Sequence, residues 1–358
     1  MSRIGRAAVL AGSVWLLSVA SDLVFPPIQA AEPAPLFASD ETLELTLTLP
    51  LHELVSHARR RPEIEGTLSY ENADGNAVDL DVEVTTRGKS RLEYCRFPPI
   101  GLNLKRGQVK DTLFAEQNKL KLVTRCRDDD SFEDYLELEY LLYRFYEHVN
   151  DYAFRVRPLR MRYVDSERDE IEEAPAFFLE HKDGLAARVG MHAVDVPRLT
   201  TADLRPDVLA TVTLFEFMIG NTDWSALAPS GDEDDCCHNG AVLETQDGSE
   251  EFVFVPYDFD QAGLIDAVYA LPSEKLRIRS VRQRLYRGFC ATNAYLDEAI
   301  GVFNAARPAA EALIQDARLR DRTREEALEY LAESYEIIND PERRQRMIVD
   351  QCRGESEP

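Results

Sequence analysis

The sequence contains none of the short motifs that identify the commonest hydrolases and dinucleotide-binding enzymes. It has no G-x-S-x-G nucleophile elbow, no H-E-x-x-H zinc motif and no G-x-G-x-x-G turn. Gly88-Lys89-Ser90 matches the end of a phosphate-binding P-loop, but the position five residues earlier, which requires glycine, is Glu83. These absences exclude an α/β-hydrolase, a zincin, a Rossmann-type enzyme and a P-loop nucleotidase as motif-based interpretations.

Basic residues are few relative to acidic ones. The chain of 358 residues has 41 Lys and Arg against 65 Asp and Glu, which gives a formal net charge of -24. Because nucleic-acid binding depends on clustered cations that contact phosphates, we expect no nucleic-acid partner. Hydrophobic residues make up 44% of the chain, which excludes a disordered polypeptide and is enough for one large domain or two lobes.

No apolar run is long enough to predict a membrane-spanning helix with confidence. The segment Ala7 to Val19 follows two arginines and precedes the small residues Ala30 and Ala31. This order is typical of a cleavable signal peptide, and an uncleaved signal anchor is the alternative. We therefore expect residues 1–30 to be removed, leaving a periplasmic or secreted protein with no stable membrane span.

Cysteines are also few, but their number is even, as in many exported proteins with disulfides. The six are Cys95, Cys126, Cys236, Cys237, Cys290 and Cys352. The first two lie in the N-terminal half and are expected to pair. Because Cys236 and Cys237 are adjacent, we expect each to bond to one of the last two cysteines, in either order. A metal site at Cys236-Cys237-His238 is the alternative, although structural zinc sites favour spaced ligands.

Strand patterns dominate the first half of the chain and helical patterns the second. Residues 31–41 are rich in Pro and Ala and are expected to form a flexible lead-in. Strict alternation over Leu43 to Leu49 predicts a strand, and similar patterns recur until residue 181. We therefore predict an α+β protein with a β-rich N-terminal lobe over residues 42–185. Residues 186–358 are expected to form a mainly helical C-terminal lobe.

The most informative polar residues lie between Phe215 and Asp260. An apolar helical pattern ends at Gly220-Asn221-Thr222-Asp223-Trp224, and His238-Asn239 precedes a predicted hairpin with its turn at residues 246–249. The second strand of that hairpin ends in Val255-Pro256-Tyr257-Asp258-Phe259-Asp260. Because the outer ends of two antiparallel strands lie side by side, we expect Asn239 and Asp258 to be close together.

This order of motifs resembles the CotH family of secreted atypical protein kinases and, more distantly, the HipA-like kinases. Thr86-Arg87-Gly88-Lys89-Ser90-Arg91 resembles the Arg-Gly-x-Ser element of the family, and Gly101 to Lys105 resembles the basic strand that follows it. Phe177 to Glu180 resembles the strand that leads to the hinge between the lobes. The resemblance implies a two-lobed, atypical protein kinase-like fold.

The resemblance also implies a role for individual residues. Asp223 would orient or deprotonate the acceptor hydroxyl. The residues expected to hold Mg²⁺ or Mn²⁺ are Asn239, Asp258 and Asp260. The residues expected to contact ATP are Arg87, Ser90, Lys105 and Glu180, and Lys105 would pair with Glu139 or Glu137. The implied function is transfer of phosphate from ATP to a hydroxyl of an exported or cell-envelope protein.

One spacing departs from the family pattern. Asp223 and Asn239 are 16 positions apart, whereas the family keeps the two only a few residues apart. The intervening residues 226–237 either fold aside, pinned by a disulfide, or disable the site. In the second case the chain would be a non-catalytic relative that binds a partner or an envelope component. A metal-dependent phosphohydrolase that uses the same aspartates is a third interpretation.

Overall fold

A closed β-barrel, a second, smaller sheet and a helical C-terminal region make up the fold. The computed structural model describes residues 33–89, 91–228, 235–246 and 251–354. The predicted signal peptide, Ser90 and most of the predicted hairpin turn, residues 247–249, lie outside the described residues.

The strands and helices occupy the following positions. The barrel strands are β1 (Leu43–Leu49), β2 (Ile64–Glu71), β3 (Ala77–Thr86), β4 (Ile100–Leu104), β5 (Lys119–Thr124), β6 (Val156–Asp165) and β7 (Ile171–Leu179). The second sheet consists of β8 (Met191–Val194), β9 (Gly240–Thr245) and β10 (Phe252–Pro256). The helices are α1 (Leu51–Ser56), α2 (Arg91–Tyr94), α3 (Arg106–Val109), α4 (Asp130–Glu147), α5 (Lys182–Arg188), α6 (Pro206–Ile219), α7 (Leu296–Asp316), α8 (Asp321–Asn339) and α9 (Pro341–Met347).

The barrel closes through a parallel pairing of β1 with β6. Around the barrel the strand order is β1-β2-β3-β4-β5-β7-β6, and the other neighbours are antiparallel. In the closing pair, Leu43 lies opposite Leu159 and Leu49 opposite Asp165. The predicted two-lobed kinase-like fold is therefore wrong, because a closed, mixed seven-stranded barrel is not the β-rich lobe of a typical kinase. Alternating residues predict strands but not the distant partner that closes the barrel.

Two hydrophobic cores stabilise this arrangement. One fills the barrel, where inward-facing residues such as Leu47, Leu68 and Phe178 are fully buried. The other lies among the helices and the second sheet, and it includes Leu138 and Phe145 of α4. Helix α4 therefore belongs by sequence to the strand-rich half of the chain but packs with the helical half. This position brings α4 beside the polar residues considered below.

Helix α6 begins and ends where its sequence predicts. Pro206 occupies its first turn, and Gly220 ends it in the left-handed conformation, with φ of 71°. The N–H of Asn221 donates to the carbonyl of Glu216 at 2.8 Å. A Cβ at Gly220 would lie only 2.0 Å from the Tyr330 hydroxyl, so glycine is required for packing as well as for conformation. This ending sets the direction of the chain into Asp223.

All six cysteines form disulfides, but only one of the predicted pairings is correct. The bond between Cys95 and Cys126 is confirmed. Cys236 and Cys237 bond to each other, and Cys290 bonds to Cys352, so the prediction of separate partners for the adjacent pair is wrong. Cys290 is instead held next to Cys352 by its backbone, since its N–H donates to the carbonyl of residue 353 at 3.0 Å. Neither adjacent sulfur is thus available as a thiolate metal ligand.

No helix in the described part of the chain combines the length and the apolar character that crossing a membrane requires.

Candidate functional site

Asp223 lies in a turn fixed from several sides. Its N–H donates to Asn221 Oδ1 at 3.0 Å, an arrangement in which a side chain stabilises its own turn. The Arg287 guanidinium donates to the carbonyls of Thr222 and Trp224, on either side of Asp223. The backbone is therefore held while the carboxylate, about 45% exposed, remains accessible from solvent.

Asp223 and Asn239 lie in direct contact although 16 positions separate them in sequence. Ser225 and His238 exchange backbone hydrogen bonds of 3.0 and 3.1 Å, which close the loop at its base. Asn239 Nδ2 then donates to the Asp223 carbonyl at 2.7 Å and to Asp223 Oδ2 at 3.1 Å. His238 Nε2 lies 3.1 Å from Asp223 Oδ1. The long spacing in sequence is thus compatible with a compact group of side chains.

The hairpin of β9 and β10 brings Asp258 to the same group. Gly240 lies opposite Pro256, and the Tyr257 N–H donates to the Asn239 carbonyl at 3.0 Å. Asn239 and Asp258 both have positive φ, 50° and 65°, a conformation uncommon for residues other than glycine. Such backbone conformations cluster at functional sites, where surrounding contacts hold them. Here the Asp258 N–H donates to the Tyr143 hydroxyl of α4 at 2.8 Å.

The charge of Asp258 influences the pKa values of two cationic side chains from the barrel, Arg87 and Lys121. Lys121 lies on β5, with its Nζ 4.1 Å from the centre of the Tyr257 ring. Burial, together with the positive charge of Arg87, lowers the pKa of Lys121 to about 7, and Asp258 opposes this change. Burial also lowers the pKa of Arg87, again against the influence of Asp258. Strongly shifted pKa values cluster at functional sites, so Lys121 is a candidate functional residue.

The position of Arg87 depends on a glycine in the neighbouring strand. A Cβ at Gly101 would lie 2.9 Å from Arg87 Cδ, so the stem of the arginine passes directly over the glycine. The Arg87 N–H donates to the Pro99 carbonyl at 2.8 Å, which fixes the backbone at the end of β3. The absence of a side chain at Gly101 therefore allows the guanidinium to reach the site.

A buried group of one arginine and two carboxyl side chains lies next to the site and links the elements around it. Arg91 contacts Asp260 at 2.7 Å and Glu139 of α4 at 2.6 Å. Burial raises the pKa of Glu139 to about 8 and that of Asp260 to about 6, in both cases against the influence of Arg91. One guanidinium therefore links α2, α4 and the chain after β10. The carboxylate of Asp260 is already paired with Arg91. The better placed of the three predicted metal ligands are therefore Asn239 and Asp258.

Other residues singled out in the sequence lie elsewhere. Lys105 follows the far end of β4 from Gly101, is largely exposed and lies 3.9 Å from Asp81. Glu180 is buried in an ion pair with Arg188 at 3.0 Å. The cation that pairs with Glu139 is Arg91 rather than Lys105.

Sequence reasoning missed Lys121, Tyr143 and Arg91. Lys119 and Lys121 alternate with leucines in β5, a pattern that places both lysines outside the barrel. Nothing in that pattern shows which lysine meets the second sheet. Arg91 directly follows the Arg-Gly-x-Ser element, and its proximity to that element was the one available signal.

A cavity of about 600 Å³ opens beside these residues, within the usual size range for small-molecule sites. It lies between β5 and the second sheet and also contacts the start of α5. Its polar lining residues include Lys121, His181, Lys182, Asp195, His238 and Asn239. Its apolar and aromatic lining residues include Phe154, Val194, Ala241, Val242 and Tyr257. The cavity thus combines aromatic surface with cationic and amide groups, and Lys121 and Tyr257 are in contact with each other.

The donor set fits a hard divalent cation that is shared with phosphate. Asn239 uses its amide nitrogen for both hydrogen bonds to Asp223, so its amide oxygen is the atom suited to coordination. In the described part of the chain, no hydrogen bond or ion pair engages the Asp258 carboxylate. Mg²⁺ is commonly held by one or two such ligands together with phosphate oxygens. The described residues contain no cluster of three or more His, Cys, Asp or Glu that could hold a metal ion.

Comparison with known proteins finds no family model that matches the chain and no curated protein that matches it. The resemblance to the CotH family therefore stays a prediction from the motifs.

Proposed function

We propose that this protein transfers a phosphoryl group from ATP to a hydroxyl of a protein substrate, in a reaction that depends on Mg²⁺ or Mn²⁺, as in the CotH family. The observation that carries this proposal is the convergence of Asp223, Asn239 and Asp258 with the cations Arg87 and Lys121. Two of these residues, Lys121 and Asn239, line the cavity. Phosphoryl transfer requires this combination of positioned carboxylate, metal ligand and cation.

The cations from the barrel would bind the phosphates. Lys121 has a pKa of about 7 in the free protein, so a bound polyphosphate favours its protonated form and gains an ion pair in a partly enclosed site. Arg87 cannot lose its proton under ordinary conditions and provides a fixed positive charge next to it. The aromatic lining residues Tyr257 and Phe154 would contact the base of the nucleotide.

Asn239 and Asp258 are the residues that would hold the metal ion. When bound, the ion supplies positive charge that neutralises the phosphate oxygens. The hydrogen bond to Tyr143 holds the backbone of Asp258 in its positive-φ conformation, which leaves the carboxylate open to a ligand. Arg91, in contact with Asp260, restrains the same loop from the other side.

Asp223 would orient the acceptor hydroxyl and take its proton. Its carboxylate is half-exposed, so a group on another protein can reach it. The hydrogen bonds from Asn239 and His238 fix the direction of the carboxylate. Such positioning by neighbouring side chains is how kinases align an acceptor with the phosphate.

We place this reaction in the periplasm or outside the cell. The pairing of all six cysteines in disulfides supports an oxidising compartment. Mass spectrometry of the protein isolated from its native source, without reduction, tests this location. Three disulfides are expected, together with loss of about the first thirty residues, whereas six free thiols and an intact N-terminus would contradict export.

Labelling with γ-³²P-ATP tests the proposed reaction. Wild-type protein, Asp223→Asn and Asp258→Ala are incubated with Mg²⁺ or Mn²⁺ and a native extract, with Asp79→Asn as the control. Asp79 lies on β3, where it accepts a hydrogen bond from Ser69. We expect labelling by the wild type and the control, and a loss of at least about 100-fold in both site variants. Equal labelling by all four proteins would contradict the proposal.

A further inference from the structure

The segment that follows the candidate site has a charge opposite to that of the whole chain. From Lys275 to Leu296 the sequence has no acidic residue, although acids outnumber bases by 65 to 41 over the full length. The cations in this segment are Lys275, Arg277, Arg279, Arg282, Arg284 and Arg287. The last three are engaged within the protein, with Asp266, with Glu333 and with backbone carbonyls.

The first three cations face solvent. Lys275, Arg277 and Arg279 are exposed, whereas Ile278 between them is buried and Leu276 is half-buried. Within the described part of the chain, the charged groups of these three side chains make no ion pair and no hydrogen bond. We call Lys275, Arg277 and Arg279 the basic strip. The apolar residues between its members hold the backbone to the protein and turn the charges outward.

The chain that carries the basic strip is attached to the candidate site at two points. At the first, Gln261 donates to Asp260 Oδ1 at 3.4 Å and accepts from the Leu271 N–H at 3.2 Å. At the second, the Gly263 N–H donates to the Gly220 carbonyl at 3.1 Å, three residues before Asp223. A Cβ at Gly263 would lie 2.3 Å from the Val281 carbonyl, so the chain just past the strip packs against this same contact.

Exposed apolar side chains adjoin the basic strip. Val268 is 64% exposed and Leu271 is 78% exposed, and both lie in the chain between the candidate site and the basic strip. Exposed apolar groups can mark a protein-binding surface. The two apolar residues and the basic strip therefore belong to one stretch of chain, which is tied to the candidate site through Asp260 and Gly220.

We propose that Val268, Leu271 and the basic strip form the docking surface for an acidic stretch of the acceptor protein. This inference rests on the proposed function, since it names the chemical class of the acceptor. Asp and Glu side chains near the acceptor hydroxyl pair with Lys275, Arg277 and Arg279, and an apolar residue of the same stretch covers Leu271. Docking at this surface holds the hydroxyl near Asp223.

The net charge of the chain favours a peptide over an anionic membrane as the occupant. Electrostatic interactions in physiological salt extend about 8 Å, so a narrow peptide on the basic strip experiences mainly these local cations. A flat membrane would also interact with the rest of the chain, whose net charge is -24. Repulsion between that charge and anionic lipids opposes membrane binding.

Fluorescence anisotropy with labelled peptides tests this inference independently of catalysis. Full-length protein is titrated into a Ser-containing peptide with Asp and Glu flanks, into the same peptide with Asn and Gln flanks, and into one with Lys flanks. The triple variant Lys275→Glu/Arg277→Glu/Arg279→Glu is compared with Lys110→Glu/Arg162→Glu/Arg346→Glu. The second variant has the same change in net charge at exposed positions outside the basic strip.

We expect the wild type and the second variant to bind the acidic peptide, and the strip variant to bind it at least about tenfold more weakly, as three exposed ion pairs would predict. Equal loss in both variants, or equal binding of acidic and neutral peptides, overturns the inference. The inference is also overturned if the protein co-sediments with vesicles that contain phosphatidylglycerol and does not bind the peptides. That result would indicate a membrane-binding surface. If acidic peptides bind while no labelling from ATP occurs, the docking surface stands and the proposed phosphoryl transfer fails.

Discussion

The pKa of Lys121 leads to a quantitative prediction about nucleotide binding. Burial and the nearby charges of Arg87 and Lys182 lower this pKa to about 7, whereas Asp258 acts in the opposite direction. At pH 8 about nine tenths of the free protein therefore has a neutral Lys121, and at pH 6 about one tenth. A bound triphosphate favours the charged form. Binding of ATP should therefore take up about 0.9 proton at pH 8 and about 0.1 at pH 6.

Isothermal titration calorimetry measures this uptake directly. Titrations at each pH are repeated in two buffers with different ionisation enthalpies, and the difference in observed heat gives the number of protons. The affinity for ATP should fall by up to about tenfold for each pH unit above 7. Lys121→Met provides the baseline, because it keeps the protonation of the nucleotide itself but removes the ammonium group. Identical proton uptake by Lys121→Met and the wild type would refute the assignment of Lys121 to the phosphates.

The same substitution has a predictable effect on stability. The unfolded chain binds the lysine proton with an ordinary pKa of about 10.4, whereas the folded protein binds it with a pKa of about 7. Between these pH values the unfolded state holds more protons, so stability rises with pH. The free-energy cost of burying Lys121 is complete below pH 7, where a difference of about 3.4 pKa units corresponds to at most about 5 kcal/mol. Lys121→Met should therefore raise Tm most below pH 7 and little above pH 10.

Three further substitutions test the supports of the site. Gly101→Ala places a Cβ 2.9 Å from Arg87 Cδ and should displace the guanidinium. Calorimetry should show ATP binding weakened about tenfold with little change in Tm. Unchanged affinity would show that Arg87 does not bind phosphate. Arg91→Met leaves the two buried carboxyl groups of Glu139 and Asp260 without their cation. Urea unfolding should show a free energy of unfolding lower by about 3–5 kcal/mol. A change below about 1 kcal/mol would contradict the role of Arg91 as the cation that pairs with both carboxyl groups. Replacing Cys95 and Cys126 by Ser opens a loop of 31 residues and should cost about 3–4 kcal/mol by the same measurement. Reduction of the wild type opens all three disulfides and should cost more, whereas an equal or smaller cost on reduction would contradict this assignment.

The local features of the fold could be predicted from sequence because nearby residues determine them. Pro206 and Gly220 mark the ends of α6, and the alternation of Leu43 to Leu49 marks β1. The antiparallel pairing of β9 with β10 follows from their two apolar runs, while most of the predicted turn lies outside the described residues. Each of these signals depends on a few consecutive side chains and their backbone preferences.

The long-range features could not be predicted in this way. The parallel pairing of β1 with β6 closes the barrel between segments more than a hundred residues apart, and no local pattern specifies it. The choice between Lys105 and Lys121 depends on which side of the barrel faces the second sheet. The disulfide between Cys236 and Cys237 is not predicted, because adjacent cysteines are expected to bond to different partners.

Nucleotide-dependent binding of Mn²⁺ tests the central claim most directly. Electron paramagnetic resonance measures free Mn²⁺ as wild-type protein and Asp258→Ala are titrated with the ion, with and without ATP analogue. The account predicts Mn²⁺ binding to wild-type protein beyond that to the analogue alone, and loss of this binding in Asp258→Ala. Free Mn²⁺ concentrations that are the same for both proteins would contradict it.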